Sequence, residues 1–246
     1  MMRGLGTLVN AAAVVAAALL GMIFKGGIKQ KYQNALMCVL GLATMFIGAS
    51  GTLEEMLVIK DGSLSAQGAL LLVISLVIGA LAGEFLRVED RLESLGEKLR
   101  KAVKAKSDSS FTEGFVSTTL VICVGAMAIV GSLKDGISGD HSTLFVKAAL
   151  DFCIVTVYAS AMGMGVLFSA LPLAIYQGSI TLLSGVVSPF MSDRLISNLN
   201  LVGSAMIFAI GVNLAFGKKF KVGNMLPGLL VPLIYELILI AVQKFA

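Results

Sequence analysis

Apolar residues crowd into eight stretches of this chain: Gly4 to Phe24, Asn34 to Leu53, Leu64 to Phe85, Phe115 to Leu133, Leu144 to Leu171, Pro172 to Val187, Asn198 to Phe216 and Met225 to Gln243. A helix needs about 20 apolar residues to cross the hydrocarbon of a bilayer, and these stretches approach or exceed that length. The pattern predicts an all-α, polytopic membrane helical bundle of eight transmembrane helices, with residues 1–246 forming a single transmembrane domain. Composition agrees, at 57% hydrophobic and 14% charged residues and a mean hydropathy of +0.92. The basic start at Arg3 and the alanine-rich body of the first stretch resemble a secretory leader. Its length of about 20 residues, and Lys25 following without a clear cleavage site, favour a retained span.

Charge then orients the bundle, because cytoplasmic loops keep Lys and Arg. Lys25, Lys29 and Lys31 follow the first span, a run from Arg87 to Lys106 follows the third, and Lys218, Lys219 and Lys221 follow the seventh. The remaining joints carry little more than Lys60, Lys134 and Arg194. Eight crossings with both termini outside put every cation-rich loop in the cytoplasm, against the small contrary votes of Arg3 and Lys244. The one long polar connection, residues 87–112, places Val88, Leu92, Leu95, Leu99 and Val103 at helical steps among basic side chains. This predicts a cytoplasmic amphipathic surface helix over 87–106, followed by a solvated linker. Its expected partner is the anionic inner leaflet rather than nucleic acid.

Polar residues inside the apolar stretches come next, since lipid cannot hydrogen-bond them. Residues 152–192 carry no charge but are dense in small and polar side chains, among them Tyr176 and Gln177. That hairpin is expected in the middle of the bundle. Pro172, with Gly163 and Gly165 loosening the preceding helix, either frees backbone carbonyls for a ligand or simply sits beside a tight turn. Glu236, about 11 residues into the last span, is expected near the bilayer midplane with no evident cationic partner, a position costly enough to imply function. Asp151 stands about two turns into the fifth span, four residues after Lys147, so the alternative to a binding acid there is a structural ion pair. Asn10 and Asn213 add buried amides, as interhelical hydrogen bonds or ligand contacts. Glu84 falls at a span end beside Arg87 and reads as an interface residue.

Other chemistry finds little support. His141 is the only histidine, so neither a histidine metal cluster nor a Ser-His-Asp triad can be built in the membrane. There is no phosphate-binding glycine loop ending in Lys-Ser or Lys-Thr and no arginine-rich voltage-sensor helix. Cys38, Cys123 and Cys153 lie within spans and read as small buried side chains. No enzyme, cofactor or metal is expected.

Glycines suggest repeated helical hairpins: Ala18 to Lys25 resembles Ala80 to Arg87, and Gly41 and Gly48, Gly125 and Gly131, and Gly203 and Gly211 recur in spans two, four and seven. The alternative is that glycine recurs wherever membrane helices pack closely. Four motifs, Gly6-Thr7-Leu8-Val9-Asn10, the run Gly83 to Glu93, Gly163 to Ala170 with Tyr176-Gln177-Gly178, and Lys221 to Pro227, resemble bacterial inner-membrane proteins grouped as domain of unknown function 554. The likeness covers nearly the whole chain and implies placement in the bacterial inner membrane, without a substrate. The expected function is a small proton- or cation-coupled secondary transporter, or a channel. Glu236 would bind a proton or monovalent cation, with Asp151, Asn10, Asn213, Tyr176 and Gln177 lining the path for a small solute. The rival reading is a non-transporting scaffold or assembly factor, and a homo-oligomer is compatible with either.

Overall fold

A computed structural model describes residues 3–25, 30–60, 62–105 and 109–245. Lys29 and Lys106, which entered the charge pattern, lie outside the described residues. The fold is all-α, with helices α1 (Leu5–Lys25), α2 (Gln30–Met56), α3 (Ala69–Leu86), α4 (Val88–Ala102), α5 (Ser109–Cys123), α6 (Ala126–Ser138), α7 (Ser142–Met162), α8 (Met164–Leu167), α9 (Ala170–Leu182), α10 (Ser184–Val187), α11 (Asp193–Phe216) and α12 (Leu230–Phe245). A 3-10 segment, Val222–Leu229, leads into α12, and a two-stranded antiparallel hairpin, β1 (Leu57–Lys60) and β2 (Ser63–Ala66), interrupts the helices. That hairpin corrects the third span, which begins at Ala69 rather than Leu64. Gly62 turns it with a positive φ of 75°, a conformation open to glycine.

Among the described residues seven stretches are long and apolar enough to cross a membrane, and the pair formed by α5 and α6 would make an eighth. This pair breaks at Val124 and Gly125 and bends by 62°, where the fourth span was expected to be continuous. The fifth and sixth spans are also redrawn. The chain breaks at Gly163 (φ 81°, ψ −139°), not at Pro172. Pro172 is the third residue of α9, in a first turn where a missing N–H leaves no bond unmade.

Large apolar side chains lie on the outer faces: Phe46 is 70% exposed, and Phe85 and Leu182 are 87% exposed. Polar Asn10, Asp151 and Gln177 are buried instead. This inversion of the soluble pattern is what a lipid solvent demands.

The chain packs as two compact units, one of Met1–Leu40 with Leu92–Phe190, the other of Gly41–Arg91 with Met191–Ala246. In the first, α1 lies along α7 and touches α9, while α5 packs on α7 and α8. Part of α4 belongs here: Gly96 sits against Thr112 and Phe115 of α5. Glu97 accepts a 3.0 Å hydrogen bond from the Thr112 hydroxyl and pairs with Arg100. The Arg100 guanidinium holds the Glu97 carboxyl below the usual carboxylate range. The expected apolar stripe of this helix is not all covered, since Leu95 is 48% exposed.

In the second unit α3 packs on the Val222–Leu229 segment and α12, and α11 contacts both. Glycines mark the close approaches. A methyl group at Gly41 would lie 2.7 Å from the Gly211 carbonyl, and one at Gly48 2.3 Å from the Phe208 amide. Gly21 in the first unit and Gly83 in the second, the pair aligned by sequence similarity, have the same role, against Thr156 and Asn224. Packing thus accounts for Gly21, Gly41, Gly48, Gly83 and Gly211, whereas a methyl group at Gly125, with its φ of 149°, would meet nothing within 4 Å.

Gly83→Ala is expected to lower thermal stability in detergent, because its methyl group would fall 2.0 Å from the Asn224 carbonyl oxygen. Overpacking of this kind typically costs about 1–3 kcal/mol. Gly178→Ala, whose methyl group would meet nothing within 4 Å, is the control and should melt like the wild type.

Candidate functional site

The buried polar centre of the first unit is built on α7. Asp151 is the tenth of its 21 residues, about 14 Å from the helix start at ~1.5 Å per residue. It therefore lies mid-helix. Lys147, one turn earlier on the same face, forms an ion pair with its Oδ2. Both residues are nearly shut off from solvent, at 6% and 5% exposure.

Two other helices touch this pair, and a third joins through Asn10. The Lys147 ammonium also donates to the Ile122 carbonyl at 2.8 Å, one residue before α5 ends at its break. Carbonyls in a last turn have no partner in their own helix, and the ammonium supplies one. From α1, Asn10 Nδ2 donates to Asp151 Oδ2 at 3.0 Å and to Gln177 Oε1 of α9 at 3.3 Å. Asn10 and Gln177 are both fully buried, yet Asn10 Oδ1 and Gln177 Nε2 have no hydrogen-bond partner among the described residues. An acceptor and a donor are thus left open next to an ion pair. Thr118, Thr119 and Ser132 are further unpartnered buried hydroxyls in this unit among the described residues, and Ser75 is one in the other. Buried polar atoms are normally satisfied, so Asn10 and Gln177 keep hydrogen-bonding capacity that the fold leaves open.

One turn from Asn10 and Gln177, Thr7 and Thr181 share a 3.3 Å hydroxyl contact, and Thr181 donates to the Ser132 carbonyl at 3.2 Å. Both threonines line a cavity of about 700 Å³ with Arg3, Gly136, Gly178 and Ser184. At the same end Asp135, fully buried, accepts from the Gly4 and Gly6 amides at 2.9 and 3.1 Å and faces His141 Nδ1 at 2.9 Å. It caps the start of α1, where orphan N–H groups favour an anion. Sequence reading missed Asp135. The available signal was an acid at the end of an apolar helix, opposite glycines that expose their amides.

The other expected site residues divide between the two units. Tyr176 is half-buried on α9 beside Gln177. Glu236 and Asn213 belong to the second unit. Glu236 is 3% exposed but does have a cationic partner: Arg194 holds it at 2.9 and 3.1 Å, and the Ser192 hydroxyl donates to it at 2.6 Å. Arg194 is the second residue of α11, so Glu236 stands level with a helix end rather than at mid-span. Asn213 spends its whole amide on the following loop, donating to the Phe220 carbonyl at 2.7 Å and accepting from the Lys219 and Phe220 amides at 2.8 and 2.9 Å.

The same unit holds another acid network. Glu84 pairs with Lys221 at 2.8 Å and accepts from Asn224 at 2.7 Å, and its carboxylate holds the Lys221 ammonium above the usual lysine range. Buried Glu89 accepts from the Gly223 amide at 2.6 Å and pairs with Lys218 at 2.9 Å, and its own amide donates to Asn224 Oδ1 at 2.7 Å. Among the described residues no three His, Cys, Asp or Glu side chains gather where they could hold a metal ion.

Comparison with known proteins yields relatives of matching length. The chain is 33% identical to the uncharacterized membrane protein YdfK of Bacillus subtilis (strain 168), covering 92% of this chain and 93% of that protein. It is 27% identical to the uncharacterized protein YqgA of Escherichia coli (strain K12), again covering 92% and 93%. No solved structure matches. The family model described as protein of unknown function (DUF554) matches residues 5–237. The chain, a membrane protein by its helices and its relatives, belongs to the DUF554 family.

Proposed function

We propose that this membrane protein is a small secondary transporter, coupled to protons or a monovalent cation, and that Asp151 rather than Glu236 is its titrating or ion-binding acid. The observation that carries the reading is the open hydrogen-bonding capacity beside the Lys147–Asp151 pair: Asn10 Oδ1 and Gln177 Nε2 are unpartnered on fully buried residues. A purely structural polar cluster would be closed, as the one around Glu89 and Asn224 is. A buried acid whose partner can be exchanged is the element that proton- and ion-coupled carriers need. A channel would use the same lining without the exchange.

The positive-inside pattern supports both termini lying outside, and the bacterial relatives support a bacterial inner-membrane placement. The exposed Lys98 and Lys101 of α4 suit contact with anionic headgroups of the inner leaflet.

Liposomes holding the purified protein test the proposal through fluxes of protons, Na⁺, K⁺ and small solutes. Asp151→Asn is expected to reduce coupled flux at least about tenfold, the equivalent of ~1.4 kcal/mol, while folded Glu236→Gln keeps it. Equal flux in wild type and Asp151→Asn would remove the acid from the mechanism. Silence under every gradient would favour the packed scaffold.

The structural role of Glu236 has its own check. Arg194→Ala alone leaves a nearly inaccessible carboxylate with only the Ser192 hydroxyl. It should lower the melting temperature in detergent more than the Arg194→Ala/Glu236→Gln double variant does.

A further inference from the structure

The Lys147–Asp151 pair fixes the sign of what can bind with a proton. When an Asp151 carboxylate oxygen takes up a proton from water, its negative charge disappears. Lys147 is then a cation at 6% exposure with only the neutral Ile122 carbonyl and a protonated acid for company. An uncompensated buried charge is the expensive state in a membrane interior. An anion beside Lys147 restores neutrality: a cation and a carboxylate before, a cation, a neutral acid and a bound anion after. Proton and anion must therefore help each other to bind, by reciprocal linkage.

The surroundings favour that outcome. Cys123 of α5 lies within electrostatic reach of both charges, and Tyr176 of α9 within reach of Cys123. From α1 the pair is met by the neutral Asn10 amide. The cavity one turn away is lined by the Arg3 cation together with Thr7, Thr181 and Ser184. Asp135 at that end has both carboxylate oxygens engaged, by two backbone amides and by His141 Nδ1. Arg3 is the cation that the cavity offers an anion.

The two open atoms narrow the chemistry further. Gln177 Nε2 is a free donor, suited to a carboxylate oxygen, and Asn10 Oδ1 is a free acceptor, suited to a hydroxyl. We infer that the first unit binds a small hydroxylated monocarboxylate together with one proton, the anion reaching Lys147 past the Thr7–Thr181 contact from the Arg3-lined cavity. This rests on the transport reading for its purpose but not for its test, which measures binding.

The experiment is calorimetric titration of the full-length protein in detergent with glycolate. It is run in two buffers of different ionisation enthalpy and across a pH range in which glycolate stays ionised. The expected result is uptake of close to one proton per glycolate, with affinity rising toward about tenfold for each pH unit of acidification. Acetate, lacking the hydroxyl, should bind at least about tenfold more weakly, the loss of one hydrogen bond of ~1.4 kcal/mol. Asp151→Asn, which imitates the protonated acid, should bind glycolate with no pH slope, and Lys147→Met/Asp151→Asn should not bind it.

Should Asp151→Asn fail to fold, the wild-type proton count still decides. Glycolate binding without proton uptake, an unchanged pH slope in Asp151→Asn, or no binding at any pH would overturn the inference. Linked binding in a protein that shows no flux would keep this site and sink transport. Na⁺ or K⁺ flux through a protein that ignores glycolate would do the reverse.

Discussion

Hydrocarbon offers no hydrogen bonds, and in the first unit that constraint converges on a single ion pair. Lys147 and Asp151 sit mid-helix on α7 and draw in α1 through Asn10, α5 through the Ile122 carbonyl and, by way of Asn10, α9 through Gln177. Removing one member of such a pair usually costs about 3–5 kcal/mol, because the other charge stays buried alone. The break between α5 and α6 makes sense in the same terms. It leaves Ile122 with a carbonyl at a helix end, a group that lipid could not satisfy and the lysine does. Helix geometry, helix packing and the charge state of one acid are therefore coupled.

The second unit answers the same constraint differently. Glu84, Glu89 and Glu236 of this unit each have a cation and at least one further hydrogen-bond donor. Asn224 bridges two of them, donating to Glu84 while its oxygen accepts from the Glu89 amide. Loops tied down in this way are rigid, and a fully satisfied network has nothing left with which to recognise a solute.

How much of this was legible in the sequence follows the range of each interaction. Spans were readable because a crossing helix must be long and apolar, and the Lys147–Asp151 pair because i,i+4 spacing forces proximity. Close-packing glycines such as Gly41 and Gly48 were visible as a pattern, though not their facing partners, Gly211 and Phe208. Glu236 was misjudged because Arg194 stands 42 residues away, and depth counted along an apolar run ignores where the partner helix begins. Asn213 looked like a membrane amide because α11 runs on to Phe216, yet its side chain folds forward onto the next loop. The break at Gly163 was assigned to Pro172 since proline is the stronger signal. A proline in the first turn of a helix breaks nothing, whereas a glycine at positive φ does.

The four motifs that carried the family resemblance turn out to meet in pairs. Gly83 to Glu93 meets Lys221 to Pro227 through Gly83, Glu84, Glu89 and Asn224. Gly6 to Asn10 meets Tyr176 to Gly178 through Asn10 and Gln177. The first meeting is closed, every named polar group engaged. The second ends in a free acceptor and a free donor beside a charge pair, one helical turn from a cavity. Stability alone gives no reason to leave polar atoms open at such depth, since replacing them with apolar groups of similar size would remove the desolvation cost. Their retention at the more deeply buried of the two meetings is the physical argument for placing function in the first unit.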